Sequence, residues 1–259
     1  LTALTLLALL VLGWSLQLGA TPDWQGIIIF TILTLLTEWL AIDVYARNTS
    51  VSTSVAPIVA GACLFGATGA LVLTLAVALA TLIKHRSPVS RLIFNTSNHL
   101  LGALICVNFL YFTGILITDH LALAPILAVV TATTLNYLTT SILLSSVIQL
   151  SSGQSARQVW FERFYWLWPY YIVLGLVAYA LALGYLSSGM TGVLVFVIPL
   201  FMLRISQNQY LSRTESMVVQ LRSANAELIA RSNEILAMNE GLILALSHAS
   251  DLRDPYVHG

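Results

Sequence analysis

The chain has 259 residues, of which 58% are hydrophobic and 8% charged, and its 11 basic and 11 acidic side chains balance to zero. A core of this size cannot bury so many apolar side chains in water, so the composition excludes an ordinary soluble globular domain and calls for lipid as solvent. The even charge excludes a basic nucleic-acid-binding surface as the default, so no nucleic-acid partner is expected.

A helix needs roughly 20 apolar residues to cross the hydrocarbon core. On that measure spans are expected near residues 1–20, 25–46, 92–116, 121–149, 167–186 and 189–205. The chain begins with Leu1 rather than Met, which points to an incomplete or processed N-terminus. No small-residue cleavage site follows the first apolar run, so it is expected to remain as a span. The stretch 54–83, "SVAPIVAGACLFGATGALVLTLAVALATLI", is long for one helix and short for two. Two glycines in "FGATG" at 65–69 favour two short helices meeting at a bend over one long tilted helix, an arrangement tolerated where broken helices are buried in protein. Cys63 and Cys106 lie within apolar runs, with no metal-ligand or disulfide spacing, and read as small buried hydrophobes.

Basic residues mark the cytoplasmic side of a membrane. Lys84, Arg86 and Arg91 cluster in one loop, Arg157 and Arg163 in another, and Arg204 follows the last span. The alternate loops "TPDWQ", "ITDH" and "YLSSGM" carry no lysine or arginine. A bend at 65–69 also puts Arg47 inside and favours eight segments over seven, with a cytoplasmic C-terminus. The aromatic block "WFERFYWLWPYY", 160–171, fits an interfacial belt.

Ionisable and amide side chains within spans are costly and therefore candidates for function. Glu38 and Asp43 fall in the second expected span, and Asn95, Asn98 and His99 share one helical face by spacing. Asn136 sits in the middle of 121–149. Glu38, Asn95, Asn98, His99 and Asn136 are the expected ligand-binding set; interhelical hydrogen bonds are the structural alternative. Asp119 and His120 read as loop residues.

From residue 206 the sequence turns polar and rich in helix formers. With Thr214 at a d position, the d stripe continues through Leu221, Leu228, Ile235 and Leu242. The a positions are Leu211, Val218, Asn225, Ser232, Asn239 and Leu246. Asparagines at a positions can pair across the axis of a two-stranded coil and fix its register, so a homodimer is expected through 206–247. The alternative is an amphipathic helix packed on a domain of its own. No breaker lies between Arg204 and Leu211, so the coil is expected to continue the last span and to carry small movements out of the membrane.

The ending, "LILALSHASDLRDPYVHG", resembles the first helix and turn of bacterial HD-type phosphohydrolase domains, above all the HD-GYP cyclic-di-GMP phosphodiesterases. Arg253, Asp254, Pro255, Tyr256 and Gly259 match that family's pattern. The resemblance implies that residues 248–259 open an HD-type domain whose metal-binding His would follow next. The family's catalytic residues and GYP motif are absent here, and His248 and His258 do not occupy ligand positions. No catalytic or metal-binding residue and no cofactor is thus expected within this chain; a divalent metal is implied for the missing domain. Residues 51–104 are also similar to the multi-span sensor regions that precede such domains, and "LFG" is similar to a stretch of the substrate-binding components of vitamin transporters.

The expected fold class is an all-α integral membrane protein: seven to eight membrane segments in 1–205, then a long cytoplasmic coiled-coil helix in 206–247, then the domain start in 248–259. The expected function is sensing, anchoring and dimerisation for a phosphodiester-hydrolysing signalling protein. A small-molecule transport component, or an accessory subunit of a larger membrane complex, is the alternative.

Overall fold

The structure, a computed structural model, describes residues 1–17, 22–39, 42–44, 49–51, 54–85 and 88–253. The described chain is helical apart from one short ribbon. Its elements are α1 (Thr2–Gln17), α2 (Trp24–Trp39), β1 (Ile42–Val44), β2 (Thr49–Val51), α3 (Val55–His85), α4 (Val89–Thr113), α5 (Leu123–Ser152), α6 (Ala156–Arg163) and α7 (Trp168–Arg253). The chain divides into two compact units, Leu1–Phe201 and Met202–Gly259.

In the first unit, α3 packs on α2 and α4, and α4 packs on α1 and α5. Phe30, Val59, Leu73, Leu104, Val129 and Leu181 are among the buried side chains at their centre. The surface inverts the usual soluble pattern. Large apolar side chains such as Leu10, Ile28, Ile32, Leu79 and Ile142 face outward, while Thr34, Thr37, Ser97, Asn98, Thr133, Asn136 and Ser145 are buried. Helices with an apolar exterior and hydrogen-bonding small polar groups at their contacts are those of an integral membrane protein. Four stretches are long and apolar enough to cross a membrane: Val55–Lys84, Val89–Thr113, Leu123–Ser152 and Tyr165–Pro199. Thr2–Gln17 and Trp24–Trp39 are shorter apolar helices.

The bend expected at 65–69 is present. Gly66 interrupts α3 at φ 63°, ψ −148°, a region that essentially only glycine enters. Gly61 and Gly69 would stand about 12 Å apart on a straight helix. Instead, a Cβ built on Gly69 would come within 2.7 Å of the Gly61 carbonyl oxygen. The two arms of α3 therefore fold back on each other, and the 55–65 arm, about 16 Å long, covers roughly half the hydrocarbon thickness. Open space surrounds a Cβ built at Gly66, so Gly66→Ala should cost only the backbone term, about 1–3 kcal/mol. Thermal unfolding in detergent, followed by circular dichroism, checks this value.

A second break lies at Gly189, φ 57° and ψ −135°, inside α7. It separates the arms expected as 167–186 and 189–205. Here too the backbones meet: a Cβ on Gly184 would lie 3.0 Å from the Gly192 carbonyl oxygen.

Two regions refine the sequence reading. The second span stops at Trp39, and Ile42–Val44 pairs antiparallel with Thr49–Val51. The β-branched Ile42, Val44, Thr49 and Val51 favour a ribbon, and Asp43 interrupts the apolar run a helix would need. Asp43 thus belongs to β1, not to a membrane helix. The aromatic block is also more structured than a span's flank. It holds the end of α6 and a 3-10 turn at Tyr165–Leu167, pinned where the Tyr137 hydroxyl donates to the Phe164 carbonyl at 2.7 Å and Trp160 Nε1 donates to Ser141 Oγ at 2.9 Å.

In the second unit the described backbone is helical as far as Arg253, and side chains 216–249 are all exposed. Arg231 donates to Glu227 one turn earlier at 2.7 Å, a surface pair of modest value.

Candidate functional site

Among the described residues, the five residues expected to line a ligand site have different surroundings. Glu38, near the end of α2, accepts a hydrogen bond from Ser54 Oγ at 2.7 Å. That bond ties the end of α2 to the start of α3 across the β-ribbon. His99 is half-buried and within electrostatic reach of Glu38. Asn98 turns instead to α5, its Nδ2 donating to the Thr140 carbonyl at 3.2 Å while its Oδ1 is buried without a partner. Asn136 lies in the same seam. A Cβ built on Gly102 would stand 2.9 Å from Asn136 Oδ1 and 2.8 Å from Thr140 Cγ2. Glycine at 102 therefore sets how closely α4 approaches α5, as small residues do between membrane helices. Asn95 is exposed, so the expected common face of Asn95, Asn98 and His99 is divided.

One cavity of the first unit lies elsewhere. A space of about 330 Å³ opens between α1, the Gly66 bend, the last turns of α4 and the segment 115–117. Its polar wall includes Ser15, Asp23, Cys63 and Thr68; Phe65, Leu110, Tyr111 and Ile117 supply apolar wall.

Two of these polar groups, Asp23 and Ser15, are held from behind. Asp23 precedes α2 and caps it, Oδ1 accepting from the Gly26 backbone N–H at 3.2 Å, the usual work of an aspartate at that place. Its Oδ2 accepts from the Tyr185 hydroxyl. Tyr185, Phe65 and Phe30 form a three-ring cluster, edge to face, with centroids 5.5 to 5.7 Å apart, a favoured aromatic geometry. One of the cavity's rings thus helps to position the tyrosine that orients its carboxylate. On the opposite wall, buried Ser15 donates to the Val11 carbonyl and accepts from Asn108 Nδ2, both at 2.8 Å. The Asn108 Oδ1 behind it is buried and unpaired, which costs about 1–3 kcal/mol.

The Tyr185 hydrogen bond, helped by the Gly26 N–H, holds the Asp23 carboxyl below its usual value of 3.8. A carboxyl whose folded pKa is depressed adds stability that is complete above the unfolded value and is lost as pH falls through the folded one. Tyr185→Phe removes the larger cause. It should move the Asp23 titration upward and shrink the stability lost below pH about 4, as carboxyl infrared bands and acid unfolding would record.

Asp23 and Ser15 were not singled out from sequence. Asp23 was legible as a cap, since an aspartate directly before an apolar run is a helix-start signal. Its tyrosine partner stands 162 positions away, and no local pattern announces it.

The heptad residues Val218, Leu221, Asn225, Leu228, Ile235, Asn239 and Leu242 are all exposed on α7. Arg253 is the last residue of that helix, and Asp254, Pro255, Tyr256 and Gly259 lie outside the described residues. Among the described residues no three His, Cys, Asp or Glu side chains come together to hold a metal ion.

Comparison with protein-family models, with curated proteins and with solved structures gave no match. Fold and site together define the class: a helical membrane protein with an apolar exterior, two glycine-broken helices and a cavity at one end of the bundle.

Proposed function

We propose that this chain is the sensing, anchoring and dimerising part of a bacterial inner-membrane signalling protein. Residues 206–247 form its cytoplasmic coiled coil, and 1–205 cross the membrane in seven to eight segments. The observation that carries this reading is the exposed d stripe, Leu221, Leu228, Ile235 and Leu242, on a helix whose described side chains from 216 to 249 all face solvent. Four large apolar residues at seven-residue spacing on an exposed helix call for a partner strand. The ending "RDPYVHG" supports an HD-type output domain that hydrolyses a phosphodiester such as cyclic-di-GMP with a divalent metal of its own. That part rests on motif resemblance alone.

Two measurements test the reading. Light scattering of the detergent-solubilised chain should give a protein mass of twice 28.2 kDa; a single 28.2 kDa species removes the dimer. Membranes carrying the complete gene product should hydrolyse cyclic-di-GMP when given manganese, and inert membranes remove the output assignment.

A transport or binding component is the second reading, favoured by the cavity on the Gly66 bend. It leaves the heptad stripe without a role.

A further inference from the structure

We propose that the cavity at the Gly66 bend binds a small organic ammonium ion, held by Asp23 and the aromatic wall. The proposal rests on the sensor reading only for the use to which binding is put.

Three features fix the chemistry. The carboxylate of Asp23 is the only charged side chain in the wall, among the described residues. It is kept ionised by its bonds to Tyr185 and Gly26, which use one site on each oxygen, and a carboxylate has about four acceptor sites. Among the described residues no lysine, arginine or histidine lines the space to neutralise it. The basic residue Arg91 stands at the far end of α4, about 30 Å of helix away from Tyr111, and the adjoining residues 18–21 carry no charge.

The second feature is aromatic. Phe65 and Tyr111 both line the cavity, and ring faces attract cations as a carboxylate does. A bound anion would meet repulsion from Asp23 with no donor cation in return. A metal ion would find one carboxylate where it needs several hard oxygen ligands.

The third is size and polarity. At about 330 Å³ the space is at the lower end of the range for small-molecule sites. Ser15 retains one acceptor lone pair after its bonds to Val11 and Asn108, so it can take a second ammonium hydrogen. Leu110, Ala62 and Ile117 add apolar wall beside Cys63 and Thr68. A primary or methylated amine on an apolar body fits these groups, either as a free solute or as the ammonium headgroup of a phospholipid.

Benzylammonium is the probe, phenylacetate its anionic counterpart, and isothermal titration of the full chain in phosphatidylglycerol nanodiscs the measurement. Benzylammonium should bind saturably and phenylacetate should not. Asp23→Asn keeps a capping side chain while removing the charge, and should weaken benzylammonium at least about tenfold. Absence of saturable binding, equal binding of phenylacetate, or unchanged affinity in Asp23→Asn would each overturn the site. Adding phosphatidylethanolamine to the nanodiscs separates the sources. Competition with benzylammonium identifies a lipid headgroup, and no competition identifies a free amine. A chain that stays dimeric yet binds no ammonium loses this site and keeps the sensor reading; a monomer that binds does the reverse.

Discussion

On the proposed dimeric coil, Leu228→Asp combined with Ile235→Asp is expected to turn a detergent-solubilised dimer into a monomer without loss of helix in residues 1–201. Both residues are more than half exposed on α7, at 66% and 56%, so the folded chain has little to lose from them. In a two-stranded coil each substitution acts twice, once per strand. Burying a leucine or isoleucine side chain contributes about 1.5–3 kcal/mol, so the four lost side chains amount to on the order of 6–12 kcal/mol. Aspartates facing each other across the seam add an unpaired-charge cost. Few coils of about five heptads could absorb that. Light scattering should therefore report halved protein mass, and circular dichroism should report the membrane helices intact. A dimer that survives both substitutions would move the interface out of 206–247.

The asparagines make an opposite expectation. Asn225→Val with Asn239→Val should raise the melting temperature of the coil and broaden its oligomer distribution, because a-position amides trade stability for register. The e positions sharpen the point. Ile229, Leu236 and Ile243 are apolar and exposed as well, at 56%, 57% and 66%, beside the d residues. An a/d/e band is wider than a two-stranded seam requires. If the two asparagines are what hold the coil at two strands, their replacement should populate larger assemblies.

The parts of this structure that follow from short-range sequence signals were legible, and the parts that depend on distant partners were not. Apolar run lengths placed the helices, and the glycines of "FGATG" placed the bend, because a φ of 63° leaves few other residues for the position. The ribbon of Ile42–Val44 and Thr49–Val51 was hidden because a run of apolar residues with β-branched members reads equally as helix or strand. Spacings of three and four put residues near one another on a helix, yet they do not tell that Asn98 is buried and Asn95 exposed. The cavity was the least legible feature, since its wall joins residues 15, 23, 65 and 111, and only the fold-back of α3 brings them together.

The largest stability effect in the membrane unit is expected at Gly192. A Cβ built there would overlap the Gly184 carbonyl group, with backbone rather than a flexible side chain in the way. Two backbones in contact cannot be relieved by a rotamer change, so Gly192→Ala must push apart the arms of α7 on either side of Gly189. Overpacking usually costs about 1–3 kcal/mol and more where the neighbour is rigid, so a loss of about 3 kcal/mol or more is expected. Phe196, whose ring edge would lie 3.1 Å from a Cβ on Gly184, packs in the same crossing and would lose its seat. Gly13→Ala supplies the control, because nothing lies within 4 Å of its added Cβ. There alanine's better helix propensity should stabilise by up to about 1 kcal/mol. The contrast decides between two shapes for residues 168–201. On a straight helix Gly184 and Gly192 would be about 12 Å apart, and Gly192→Ala would behave like Gly13→Ala. Opposite signs in thermal unfolding establish the fold-back, and equal gains remove it.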